Sequence, residues 1–156
     1  MSIGLIAVAV ILAIGLWGYL QQGDPLYVIN KLSASDIATV ASGAGFQGQD
    51  LTTAVAIALA ESGGDPQIEG DKSLAPTAGP SIGLWQINIG SKANPQYASV
   101  DLTDPATNAS AAFAIYSQSG FNFNRWATYT VPDSNGILPY TKYLDQATAA
   151  TGGESA

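Results

Sequence analysis

The sequence contains neither cysteine nor histidine among its 156 residues. Without histidine it cannot form a Ser-His-Asp triad or a Cys-His pair, and without either residue it lacks the usual ligand sets for zinc. Zinc amidases and thiol peptidases are therefore excluded, and so are disulfide bonds. Acid–base chemistry is left to carboxylate, lysine and tyrosine side chains.

Positive charge is also scarce, with 5 Lys and Arg residues against 12 Asp and Glu residues and a formal net charge of −7. Non-specific binding to nucleic acid depends on clustered Lys and Arg, so we expect no nucleic-acid role. Three acidic residues, Asp65, Glu69 and Asp71, lie close together in the chain but lack the spacing of a calcium loop. They are typical of a solvated turn, and we expect neither a metal nor a cofactor.

No charged residue precedes Asp24, and the chain begins with a long apolar run. As a helix, residues 3–20 would span about 27 Å, close to the roughly 30 Å of the hydrocarbon core of a bilayer. We therefore predict a transmembrane anchor over residues 1–23, with Trp17 and Tyr19 at the membrane interface. A cleaved signal peptide normally has basic residues before the apolar run, and a core helix normally has a polar stripe, so both alternatives fit the pattern less well.

The rest of the chain is predicted to form a linker at residues 24–32, one mostly α domain at residues 33–150 and a disordered tail at residues 151–156. A domain of roughly 120 residues is long enough for one modest core. Residues 65–80 are rich in Gly, Pro and Asp, which predicts a loop with a small irregular β-hairpin. Residues 81–89 fit either a strand or a short turn of helix.

Capping residues and glycines predict four helices in this domain. The first begins at a capping box formed by Ser33 and Asp36 and ends near residues 43–48. The second is expected to be capped by Asp50 and closed by Gly63, so that it runs from Leu51 to about Ser62. The last two are expected from Asp104, with Pro105 as first helical residue, to about Ser119, and from Leu138 to about Thr151.

Glu61 is the candidate for acid–base chemistry. It lies at the C-terminal end of the second predicted helix, after the apolar residues Val55, Ile57 and Leu59. A carboxylate at that end opposes the helix dipole, and apolar neighbours also disfavour ionisation, so both effects predict a raised pKa. A carboxyl that stays protonated near neutral pH suits a general acid, whereas an ordinary exposed Glu near a helix end is the alternative.

A second stretch, SIGLWQIN at residues 81–88, places two amides among apolar residues. In an extended segment Gln86 and Asn88 would share a face suited to hydrogen-bonding an N-acetyl or hydroxyl group, and Trp85 would be available to stack on a sugar ring. The alternative is a buried polar pair satisfied by the backbone. Asn108 and Ser110 spell a glycosylation acceptor, but their place inside a predicted helix favours packing or capping.

These stretches resemble the lytic transglycosylase domain of the lysozyme-like superfamily. The sequence ALAESGG at residues 58–64 looks like that family's catalytic Glu-Ser block, and SIGLWQIN looks like its Gly-Leu-Met-Gln-Ile-Asn motif, with Trp85 where Met is commoner. Downstream, residues 104–112 and 120–129 look like the variant found in bacteriophage tail and virion-associated lysozymes. Tyr140 and Tyr143 fit the closing helix of that variant.

The resemblance covers about residues 37–144 and implies a lysozyme-like α+β fold that cleaves the β-1,4 bond between N-acetylmuramic acid and N-acetylglucosamine in peptidoglycan. It implies that Glu61 protonates the glycosidic oxygen and then takes the proton of the muramoyl C6 hydroxyl, which closes a 1,6-anhydro ring. The family's Ala-Tyr-Asn-Ala-Gly block is absent, so Tyr129 or Tyr116 is expected to contact the acid. The implied substrate-binding residues are Ser62, Trp85, Gln86, Asn88, Tyr116, Trp126 and Tyr129.

Two alternatives remain open. A hydrolytic lysozyme, similar to the goose-type enzymes, would use a second carboxylate to position water, and Asp65, Asp71 and Asp101 are available for that role. A non-catalytic protein would use the fold only to bind glycan, although a retained buried acid argues against this reading.

The phage-like blocks and the predicted anchor together indicate a virion component that opens the cell wall locally during genome entry. Its expected location is the virion membrane or the host cell membrane facing the wall. Its expected partners are a peptidoglycan strand, the membrane through residues 3–20, and other virion proteins.

Overall fold

The computed structural model describes residues 31–75 and 77–153. The predicted anchor at residues 3–20 lies outside the described residues, as do most of the linker and the last three residues of the chain. No helix among the described residues is long and apolar enough to cross a membrane. These residues form a mostly helical domain with one small antiparallel sheet, which confirms the expected combination of helices with a minor β element.

Five α-helices, three short 3₁₀ turns and three two-residue strands follow one another along the described residues. The α-helices are α1 (Ala34–Ala44), α2 (Gly48–Ser62), α3 (Pro105–Gln118), α4 (Ala127–Thr130) and α5 (Leu144–Thr151). The strands are β1 (Glu69–Gly70), β2 (Ser81–Ile82) and β3 (Ile87–Asn88), paired in that order. The 3₁₀ turns are Lys72–Leu74, Pro95–Tyr97 and Pro139–Tyr143.

Three of the predicted helix ends are confirmed. In the capping box of α1, the Ser33 hydroxyl accepts a hydrogen bond from the backbone N–H of Asp36 at 3.2 Å, and the Asp36 carboxylate accepts from the backbone N–H of Ser33 at 3.0 Å. The carboxylate of Asp104 accepts from the backbone N–H of Thr107 at 2.8 Å and so caps α3. Gly63 ends α2 with a φ of 60°, a left-handed conformation that glycine adopts without a steric penalty.

The start of α2 differs from the prediction. The helix begins at Gly48, two residues before Asp50, so Asp50 lies inside the first turn and is not the cap. Its carboxylate accepts a hydrogen bond of 2.6 Å from the hydroxyl of Tyr116 on α3. The predicted last helix is also divided, because Pro139–Tyr143 is a 3₁₀ turn and α5 begins only at Leu144.

Helix α2 is the centre of the core. It packs against α1, α5 and the 3₁₀ turn Pro139–Tyr143, and α1 packs in addition against α3. Five successive residues of α2, from Ala54 to Ala58, are completely buried, so the middle of the helix is enclosed on all sides. Its small alanine side chains permit this close packing, whereas both ends of the helix reach the surface, and Glu61 lies in the last turn.

Asn108 joins α3 to the sheet. Its carbonyl oxygen accepts from the backbone N–H of Trp85, and its amide donates to the backbone oxygens of Ile82 and Leu102, each at 2.9 Å. Gly83 lies so close that an added Cβ would be 2.4 Å from the Asn108 amide nitrogen, which explains why glycine occupies this position. The buried Asn108 is therefore used for packing, as its place inside a helix predicted.

Candidate active site

A cleft of about 390 Å³ lies beside the last turn of α2. The end of this helix, the small sheet, the segment after β3 and the residues that lead into α4 form its walls. The lining residues are the two carboxylates Glu61 and Asp71, the other polar or charged residues Ser81, Gln86, Asn88, Asn94 and Arg125, and the less polar residues Ile87, Ala93, Ile115, Trp126 and Ala127.

Glu61 is half-buried in this cleft and has one defined side-chain partner among the described residues. The Thr128 hydroxyl, in the first turn of α4, donates a hydrogen bond of 2.7 Å to Glu61 Oε1. Burial raises the pKa of Glu61, the hydrogen bond from Thr128 lowers it, and the negative charge of Asp71 raises it further. The pKa shift is upward overall, because desolvation by burial is the largest of these effects.

A short chain of side-chain hydrogen bonds across the sheet links Asp71 to Asn88. The antiparallel register places Ser81 of β2 opposite Gly70 of β1 on one side and opposite Asn88 of β3 on the other. The Asn88 amide donates to the Ser81 hydroxyl at 3.2 Å, and that hydroxyl donates to Asp71 Oδ2 at 3.0 Å. Asp71, predicted to be a solvated turn residue, is exposed but also lines the cleft.

Gln86 and Asn88 both line the cleft, but not for the predicted reason. Gln86 lies in the turn between β2 and β3 with a φ of 45°, so the two residues do not share one extended segment. The Gln86 amide donates to the backbone oxygens of Ile68 and Gly83 at 3.2 and 3.0 Å, and the Asn88 amide donates to that of Ala78 at 2.7 Å. Their N–H groups therefore hold the cleft walls, and the Asn88 side-chain oxygen accepts from the backbone N–H of Gly90 at 2.9 Å.

The two tryptophans of the predicted site link its walls. Trp85 is completely buried, and its indole N–H donates to the backbone oxygen of Ala54 in α2 at 3.0 Å, so the predicted stacking of Trp85 on a sugar is wrong. Trp126 is buried except for the part that lines the cleft, and its indole N–H donates to the backbone oxygen of Trp85 at 2.9 Å. Trp126 is the residue immediately before α4, which carries Thr128.

Three other predicted site residues, Ser62, Tyr116 and Tyr129, are not among the residues that line the cleft. Ser62 is buried, and its hydroxyl donates to the backbone oxygen of Ala58 and accepts from the N–H of Gly64, so it closes the helix. Tyr116 hydrogen-bonds to Asp50, which lies about 16 Å before Glu61 along α2, so its predicted contact with the acid is wrong.

Tyr129 packs against the rings of Phe123 and Tyr140, with centroid distances of 5.6 and 4.9 Å. The preceding residue, Thr128, is the one that donates to the acid. Thr128 was not predicted, because a lone threonine in a four-residue helix carries no distinctive pattern. Asn94 and Arg125 of the cleft lining were not predicted either, although Arg125 is the sole arginine of the sequence.

Of the three aspartates considered for a second catalytic carboxylate, only Asp71 lines the cleft. Asp65 accepts from the backbone N–H of Gln67 at 2.9 Å, and Asp101 accepts from that of Thr103 at 3.0 Å, so both stabilise local turns. Within residues 31–75 and 77–153, no group of three or more acidic side chains is arranged to hold a metal ion.

The part of the sequence that forms the cleft matches a known protein family. The family described as "Lysozyme like domain" matches residues 38–128, which is more than half of the chain and includes both carboxylates, the whole sheet and Thr128. Searches among curated proteins and among solved structures return no match. The chain therefore belongs to the lysozyme-like domain family, and this membership assigns it a glycan-cleaving activity directed at peptidoglycan.

Proposed function

We propose that the protein is a lytic transglycosylase that cleaves the β-1,4 bond between N-acetylmuramic acid and N-acetylglucosamine and leaves 1,6-anhydro ends. The observation that carries this proposal is the environment of Glu61. Its carboxyl is half-buried at the end of a helix whose middle is completely buried, has a raised pKa and lines an open cleft. A carboxyl that is protonated when substrate arrives can act as a general acid.

The hydrogen bond from Thr128 assigns different roles to the two oxygens of Glu61. Because Thr128 donates to Oε1, the proton of the neutral acid belongs on Oε2, the oxygen left for the substrate. In the proposed reaction this proton passes to the glycosidic oxygen while the C1–O bond breaks. The carboxylate then removes the proton of the muramoyl C6 hydroxyl, whose oxygen bonds to C1 and closes the anhydro ring. The proton balance needs no second protein carboxylate, because the nucleophile belongs to the substrate.

Hydrolysis is the second candidate, and the position of Asp71 favours it. In inverting glycosidases a second carboxylate lies about 6.5 to 9.5 Å from the acid and activates a water molecule between them. Asp71 lines the same cleft, its charge acts on Glu61, and its Oδ2 is held by the Ser81 hydroxyl. An exposed aspartate held in place at the cleft edge suits the activation of water.

The products separate the two reactions. We would incubate the full-length protein with isolated peptidoglycan and identify the released muropeptides by mass spectrometry. The proposal expects 1,6-anhydro ends from the wild type and from Asp71→Asn, and none from Glu61→Gln. Reducing ends that disappear in Asp71→Asn would instead establish the hydrolase.

Glu61→Gln is a sharp control because the Gln oxygen retains an acceptor for Thr128 while the transferable proton is lost. Activity that persists in Glu61→Gln would remove Glu61 from the mechanism. If the folded wild type releases no product from several kinds of cell wall, the hypothesis of a non-catalytic glycan-binding protein replaces that of an enzyme.

We also propose that the domain works beside a membrane, as a virion component that opens the wall locally during genome entry. The uncharged run at residues 3–20 and the phage-like stretches at residues 104–112 and 120–129 support this location. Fractionation of particles or cells in high salt tests the anchor: the full chain should remain with the membrane, whereas recovery in the soluble fraction would contradict it.

A further inference from the structure

A second hollow adjoins the cleft that contains Glu61. It has a volume of about 250 Å³ and shares four lining residues with the cleft: Ala93, Asn94, Ile115 and Arg125. The two spaces are therefore neighbours with a common wall, which runs from the segment after β3 to the residues before α4. A chain bound across Glu61 has access to the second hollow at this wall.

The second hollow differs from the cleft in charge. Its polar lining consists of the amides of Asn94, Gln96 and Gln118 and the hydroxyl of Ser119, and its one charged side chain is Arg125. The cleft beside it contains two carboxylates. In a chain with a net charge of −7, this hollow is thus a local positive site.

Arg125 is available to a ligand. Its side chain is exposed, and the salt bridges found within the described residues pair Lys72 with Glu69 and Lys142 with Asp133, not Arg125 with a carboxylate. The guanidinium group presents paired N–H donors that match the two oxygens of a carboxylate, a geometry that lysine does not offer. The amides of Gln96 and Gln118 supply further donors in the same hollow.

The sugar part of a peptidoglycan strand carries N-acetyl and hydroxyl groups but no charge, because the lactyl carboxyl of the muramoyl residue is joined to the stem peptide. The carboxylates of peptidoglycan belong to that peptide. We infer that the hollow around Arg125 is a subsite for a stem-peptide carboxylate, so that the protein selects peptide-bearing strands over bare glycan. This inference rests on the proposed function for its substrate, since the peptide branches from the strand bound at Glu61.

Two activity measurements test the subsite. The full-length wild type, Arg125→Ala and Arg125→Lys are compared on intact peptidoglycan and on glycan strands stripped of peptide by an amidase, with the lactyl carboxylates that the amidase frees converted to amides. We expect Arg125→Ala to lower kcat/KM about three- to tenfold more on the intact substrate than on the stripped strands, chiefly through KM, and an equal loss on both would contradict the subsite. Arg125→Lys should recover part of the loss. The matched control is Lys92→Ala, which removes the same charge from an exposed residue next to the shared wall but outside both linings.

A binding measurement separates this inference from the proposed reaction. Glu61→Gln, with and without Arg125→Ala, is sedimented with insoluble wall material freed of phosphate polymers, either native or with its carboxylates converted to amides. The Arg125→Ala change should weaken binding to native wall and have no effect on amidated wall, and salt should reduce the difference. This pattern would uphold the subsite even if the wild type cleaved nothing, in which case only the proposed reaction would fall. Any of three results would overturn the inference. Binding to native wall could be equal with and without Arg125→Ala, or the change could cause the same loss on amidated wall. Binding could also depend on Arg125 only while phosphate polymers are present.

Discussion

Replacement of Asn108 by Ala tests whether one buried amide holds the sheet against α3. The substitution removes three hydrogen bonds of 2.9 Å and leaves the N–H of Trp85 and the carbonyls of Ile82 and Leu102 without their partner. At about 1 kcal/mol net for each bond, with a further penalty for buried groups that find no water, we expect a loss of about 3 to 5 kcal/mol in the free energy of unfolding. A domain with a typical net stability of about 5 to 15 kcal/mol would lose a large share of it.

The measurement is urea denaturation followed by tryptophan fluorescence, with the loss taken from the shift in midpoint at constant slope. Ser110→Ala is the matched control, because Ser110 is exposed on the same helix and should change stability by less than about 0.5 kcal/mol.

Asn108→Asp extends the argument. Its carboxylate keeps the acceptor for the Trp85 N–H but faces two carbonyl oxygens, so folding raises its pKa and its damage should increase as the pH rises and the group ionises. A loss below about 1 kcal/mol for Asn108→Ala, or an Asn108→Asp protein as stable as the wild type at neutral pH, would refute the reasoning.

Three further predictions follow from the surroundings of the acid. Folding raises the pKa of Glu61, so protonated Glu61 stabilises the native state, and this contribution is lost as the pH rises and the carboxyl ionises. Glu61→Gln should therefore have a higher Tm than the wild type at pH 7 but not below about pH 4, which calorimetry measures. Asp71→Asn removes a charge that raises the pKa of Glu61, so it should move the alkaline limb of the pH–activity profile to lower pH. Thr128→Val removes a hydrogen bond that lowers this pKa, so it should move the limb to higher pH, and unchanged limbs would contradict both expectations. Tyr116→Phe should cost about 1 kcal/mol in urea denaturation through its lost bond to Asp50 and leave kcat unchanged, whereas a large loss of kcat would restore Tyr116 to the site.

The features that the sequence predicts well are those set by neighbouring residues. The capping box of Ser33 and Asp36, the cap at Asp104 and the left-handed Gly63 all depend on partners within four residues, and all are confirmed. The upward shift in the pKa of Glu61 also agrees with the prediction, and burial is its largest cause.

The features that were missed or wrong depend on distant partners. The carboxylate of Asp50 was expected to cap α2, but Tyr116, which is 66 residues away, takes it. The hydroxyl that binds Glu61 comes from a residue 67 positions further along the chain. The motif around Trp85 indicated the right region, yet whether an indole packs inward or faces a ligand is decided by tertiary packing, here by the backbone of α2 beneath it.

The hydrogen bonds from Trp126 to Trp85 and from Trp85 to Ala54 also give the protein an internal optical probe. We expect both indoles to change environment when the turn between β2 and β3, or the segment before α4, separates from α2. Their emission then reports the assembly of the cleft. With Trp17 replaced by Phe, the remaining tryptophan fluorescence comes only from these two rings. A screen for compounds that lock or loosen the cleft can then be run on the protein alone, without labels and without wall material.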